Sequence, residues 1–167
     1  YLNNFIKSIS FEVVFLCIKM SNFTELKYNY SMMKDIHSYW AYLVLAILVF
    51  AVINAIIGLT QKKQFKDKDL RIGLFTLIVS HIQLLIGLGW YFMSPWYKAL
   101  KENGGEVMGD KAARLLAVEH PIMMILAIVL ITIGWSKHKK KTTDSSKFKT
   151  FVIFYGLALL LILSRIP

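Results

Sequence analysis

The stretch YWAYLVLAILVFAVINAIIGL, Tyr39 to Leu59, decides the fold: it runs through 21 positions without a charge. A bilayer core about 30 Å thick is crossed by about 20 apolar residues in helical form. Three more stretches meet that requirement, from about Ile72 to Phe92, Leu116 to Trp135 and Phe151 to Ile166. Backbone amides in lipid must be paired within their own segment, which leaves helices or a closed barrel. Barrel strands alternate apolar and polar residues, and these runs do not. The sequence therefore predicts an all-α protein, a four-transmembrane-helix up-down bundle over residues 33–167.

Composition agrees. Of 167 residues, 56% are hydrophobic and 18% charged, and the mean hydropathy is +0.53. An average soluble domain is ~25% charged, so an ordinary soluble enzyme is not expected. The net charge of +10 is concentrated in two loops. Thr60 to Arg71 carries five cations and Ser136 to Lys149 carries six, against four between Ser94 and Leu115. Basic loops face the cytoplasm, so both termini are expected outside a bacterial cytoplasmic membrane. Without an aromatic-interleaved platform the charge is a topology signal and not a nucleic-acid patch. Anionic lipid is its expected partner. Tyr39, Trp40, Tyr42, Trp90, Tyr91, Trp96 and Tyr97 stand where aromatic belts form.

Residues 1–32 carry no strong pattern, and their apolar piece, Phe11 to Ile18, is too short to span. They read as an extension, a loose tail or an interfacial helix, translated upstream of a natural start at Met32 or Met33. The ending at Pro167, with no polar tail, reads as a truncation. The single cysteine, Cys17, excludes a disulfide framework, a CxxC redox site and covalent c-type haem attachment.

Ionisable residues inside spans are costly and mark functional sites. His37 stands at the mouth of the first span, His81 near the middle of the second, and His120 near the start of the third, between Glu119 and Pro121. His138 lies in a lysine run and reads as solvated. Neutral imidazoles ligate haem iron, and bundles build cofactor sites from facing helices. The expected cofactor is b-type haem, held by His120 and His81, with His37 as the alternative partner and Met123 or Met124 as fallback ligands. At 1.5 Å per residue, His81 lies ~16 Å below the outer boundary and His120 ~6 Å, while His37 is ~3 Å outside it. Arg165 is a candidate partner for a haem propionate, or a residue that snorkels to headgroups. Glu119 orients His120, moves a proton, or caps the helix. Pro121 either opens a new helix or kinks a longer one and frees a carbonyl.

Three of the spans also carry a stripe of small residues. His37, Ala41, Val44, Leu48, Ala51, Ala55 and Gly58 share a face of the first, and Ala113, Ala117, His120, Met124, Ala127, Ile131 and Gly134 one of the third. Gly73, Thr76, Ser80, Gln83 and Gly87 make a small polar stripe on the second. Such faces leave room for a flat macrocycle or allow close helix packing.

The stretches HSYWAYLVL (His37–Leu45), SHIQLLIGL (Ser80–Leu88), VEHPIMM (Val118–Met124), ITIGWSKHKKK (Ile131–Lys141) and LILSRIP (Leu161–Pro167) are similar to a family of small four-helix bacterial membrane proteins labelled "cytochrome B". The resemblance covers roughly the last four fifths of the chain. It implies a respiratory association, with quinone or other respiratory membrane subunits as partners. The paired-histidine pattern of the large respiratory cytochrome b, two histidines on each of two helices, is not present. Two functions follow as expectations. One is a b-type cytochrome or haem-handling subunit that transfers electrons. The other is a cofactor-free accessory, assembly or scaffold protein whose histidines bond between helices. No phosphate loop or HExxH motif marks a substrate-transforming site.

Overall fold

The computed structural model describes the backbone from Leu2 and side chains from Tyr30 to Pro167. The extension expected at residues 1–32 therefore lies, but for its last three residues, outside the side chains described. Among the described residues four helices are long and apolar enough to cross a membrane. They are the Tyr30–Thr60 part of α1 (Leu2–Thr60), α2 (Asp67–Met93), α6 (His120–His138) with the turns from Lys111 that precede it, and α7 (Asp144–Ser164). Between α2 and α6 lie three short helices, α3 (Pro95–Glu102), α4 (Gly104–Gly109) and α5 (Lys111–Arg114), then a π-helical turn, Leu115–Glu119. In cyclic order α1 packs on α2, α2 on α6, α6 on α7 and α7 on α1.

The helices outrun the apolar stretches because polar residues cap them. The Asp69 carboxylate accepts the Lys66 N–H at 2.9 Å, which starts α2 five residues before Ile72. Thr143 Oγ1 accepts the Ser146 N–H at 3.3 Å and starts α7 at Asp144. Each cap satisfies amides that the first helical turn leaves without partners. At the other end of α1, Lys62 adopts a left-handed conformation (φ 48°). Its N–H bonds Leu59 O, and Lys63 N–H bonds Gly58 O at 3.0 Å, the two bonds of a Schellman closure.

Lipid is as apolar as leucine, so burial alone does not pull these helices together; close packing does. The small-residue stripes supply it. Leu48, Ile131 and Tyr155 are fully buried at the centre, with Ala51, Ala55, Ala127 and Ala158 around them. Gly58 receives the Phe148 ring and Gly73 the Phe151 ring. A Cβ on Gly134 would stand 2.7 Å from Phe154 Cβ. Tyr155 donates to Gly73 O at 2.9 Å and Trp40 Nε1 to Val79 O at 3.0 Å, so aromatic polar tips also tie one helix to another. The space enclosed among Asn54, Asp69, Tyr155 and their neighbours is about 10 Å³, room for a single water.

The third span is one continuous helix with a defect, the second of the two readings of Pro121. Proline has no N–H to give the carbonyl four residues back, here Ala117. The backbone widens to π geometry just before it, with the His120 N–H bonded to Leu115 O. The Ala117 carbonyl, in a residue only 1% exposed, is instead satisfied by the Tyr91 hydroxyl of α2 at 2.8 Å. A missing donor in one helix is thus supplied by a side chain from its neighbour.

Candidate functional site

One end of the bundle gathers ionisable and aromatic side chains from all four spanning helices. His37 of α1 and His120 of α6 face each other across the diagonal, ring centroids 6.2 Å apart and planes at 78°. Both are half-buried. The π turn sets the rotation of His120, so the Pro121 defect and the Tyr91 hydroxyl bear directly on where its imidazole points.

His120 is held by α7. Its Nδ1 lies 2.8 Å from Arg165 O. A carbonyl only accepts, so Nδ1 carries the proton and Nε2 presents a lone pair. Glu119 does not cap the helix. Its carboxylate takes the Arg114 guanidinium at 2.8 Å and the Arg165 guanidinium at 3.1 Å. The second contact is a charge pairing and not a directed hydrogen bond, since Arg165 Nε has no hydrogen-bond acceptor among the described residues. Arg165 therefore contributes twice, through its carbonyl to His120 and through its side chain to Glu119.

His37 is held by α2. Gln83 Nε2 donates to His37 O at 3.0 Å and lies 3.2 Å from Nδ1 and 3.4 Å from Nε2. Gly87 allows the approach, since a Cβ there would stand 3.0 Å from His37 Cε1. Trp90 packs on the imidazole at 5.2 Å. Three polar atoms of this cluster are buried without a hydrogen-bond partner among the described residues, Trp90 Nε1, Gln83 Oε1 and Arg165 Nε.

His81 stands apart. Its Nδ1 bonds Leu77 O on its own helix at 2.8 Å, and Nε2 is 3.4 Å from Thr132 Oγ1. Thr132 lies a dozen residues beyond His120 along α6, about 18 Å of helix. The structure brings together His37, His120 and Arg165 and leaves His81 out of that cluster. His138 is buried, 2% exposed, between Trp135 and Phe151, where the sequence reading had it solvated. The fault lay in reading KHKKK as a uniform solvated run: the helix turns one of its members inward.

Two imidazoles on opposite sides of one metal, with metal–nitrogen bonds of about 2 Å, have ring centroids about 6 Å apart. The His37–His120 separation matches, and the chemistry of the donors suits haem iron. Edge-to-face aromatic contact spans the same range. No group of three or more His, Cys, Asp or Glu suited to a metal ion occurs among the described residues. Comparison with protein families, curated proteins and solved structures finds no match to this chain.

Proposed function

We propose that the chain is an integral-membrane b-type cytochrome or haem-handling subunit, in which His37 and His120 would hold the haem iron. The observation that carries this reading is the 6.2 Å approach of the two rings from diagonally opposed helices. The bond from His120 Nδ1 to Arg165 O supports it, because it fixes the tautomer that leaves Nε2 free, as a carbonyl behind a metal-bound histidine does. Bound there, haem b supplies a one-electron couple at iron. The chain would hold it between α1 and α6. The Trp90 indole N–H and the Arg165 guanidinium would pair with its acidic side arms. The resemblance to the "cytochrome B" proteins extends the proposal to a respiratory setting in a bacterial cytoplasmic membrane, with both chain ends external and quinone or respiratory subunits as partners.

A second reading rests on Gln83. Its bond to the His37 backbone and its amide close to Nδ1 already satisfy that histidine within the protein. In this reading the cluster is an interhelical clasp and the protein a cofactor-free accessory or assembly subunit.

The two separate on one spectrum. Protein purified in mild detergent from haem-supplied cells is expected to give a split reduced-minus-oxidised α/Soret pattern. The pattern should be lost in His37→Ala and in His120→Ala and kept in His81→Ala. A colourless, homogeneous wild-type protein refutes the haem reading and leaves the clasp. A pigment that survives both His37→Ala and His120→Ala refutes the assigned pair.

A further inference from the structure

At the end of the bundle opposite His37 and His120, we infer a docking platform for anionic phospholipid headgroups, built by the α1–α2 and α6–α7 loops. The inference does not depend on the haem reading. Eleven cations stand in the segments 60–71 and 136–149 against three acids, Asp67, Asp69 and Asp144. Asp69 is buried and already engaged by Asn54 Nδ2 and the Lys66 N–H. All three ion pairs among the described residues lie toward the end that holds His37 and His120, between Lys98 and Glu102 and around Glu119.

The two loops form one surface because an aromatic cluster fastens them. Phe65, from the first loop, packs on Phe148 at 5.0 Å and lies nearly parallel to Phe151 at 6.0 Å. Lys147 Nζ sits over the face of Phe65 at 5.5 Å, which sets a cation of the second loop on a ring of the first. Lys139 Nζ lies 4.9 Å over Trp135 and Lys137 Nζ 5.2 Å over Phe154. These ring contacts hold ammonium groups at a fixed level. Lys62 adds a cation at a position whose left-handed backbone favours glycine.

What lies beside this rim selects the occupant. The chain passes within one or two turns from Lys62 and Arg71 to exposed apolar side chains, Ile56, Ile57 and Phe75. A molecule that fits has negative charge at one end and hydrocarbon at the other, and several cations on one face favour a headgroup with more than one phosphate. A soluble polyanion would meet only the rim.

The test uses the full chain in a neutral detergent, with lipid binding titrated by native mass spectrometry. Diphosphatidylglycerol is expected to bind at least about tenfold more tightly than phosphatidylcholine, and its affinity to fall as NaCl rises from about 50 to about 300 mM. The triple variant Lys62→Gln, Lys139→Gln, Lys147→Gln should weaken binding by about fivefold per lysine, while Lys98→Gln, at the other end, changes nothing. Equal affinity for phosphatidylcholine overturns the proposal, as does an affinity indifferent to salt; the salt series needs only the native protein if the triple variant fails to fold. Inorganic pyrophosphate that displaces the lipid at equal concentration also overturns it, in favour of a soluble polyanion.

Discussion

Replacing Tyr91 by Phe removes one hydroxyl and keeps the ring, so its effect isolates the bond to Ala117 O (2.8 Å). That carbonyl is buried and loses its ordinary helical donor to Pro121. Side-chain hydrogen bonds inside membrane bundles average about 0.6 kcal/mol, and an orphaned buried acceptor costs about 1–3 kcal/mol. A loss of about 1 kcal/mol follows, a fall in Tm of about 3 °C for a chain of this size. The decisive measurement is a double-mutant cycle with Pro121→Ala, followed by reversible unfolding in mixed micelles. Alanine at 121 restores an N–H to the Ala117 carbonyl, so Tyr91→Phe should cost no more than half as much in that background. Equal cost in both backgrounds refutes the claim that the tyrosine stands in for the proline's missing donor.

Three other outcomes follow from the packing. Gly134→Ala is expected to destabilise by about 1–3 kcal/mol, since the added methyl meets a Cβ on α7 that cannot swing aside, whereas Gly156→Ala, with open space around it, should be neutral or gain up to about 1 kcal/mol; thermal unfolding of the two variants checks the contrast. Lys62→Gly should raise stability in detergent by about 1 kcal/mol by relieving the left-handed backbone, and in the lipid titration the same variant should bind diphosphatidylglycerol more weakly. Glu119→Gln leaves Arg114 and Arg165 facing each other without their shared carboxylate and should give faster amide exchange over residues 115–121 in hydrogen–deuterium measurements; unchanged exchange there would show that the ion triad does not hold the π turn.

The four spans were legible because lipid imposes one long apolar run on each, and nothing else in the chain imitates that. Their ends were not, because a count of apolar residues is blind to a capping Asp69 or Thr143. The histidine pair suffered from the same blindness. With the first span begun at Tyr39, His37 lies outside it, yet α1 is already helical through Lys34 and Asp35. His120 sits behind a π turn that adds a residue to the local repeat, which a uniform rise per residue does not anticipate. Its distance from His37 thus emerged only with the fold. Some of the site was written more plainly. Pro121 identifies Ala117 as the carbonyl that must find another donor, though only the packing of α2 names Tyr91. Gln83 and Gly87 belong to the stripe that faces inward, but no local signal marks Trp90 as a partner of His37.

Arg165 follows every spanning helix, and His120 depends on its carbonyl while Glu119 depends on its side chain. The clasp is therefore out of reach until the last helix stands beside the third. A chain halted earlier in insertion would carry an imidazole with no proton acceptor at Nδ1 and a carboxylate with half its countercharge. Completion of this corner then reports, in a single local event, that α6 and α7 stand side by side.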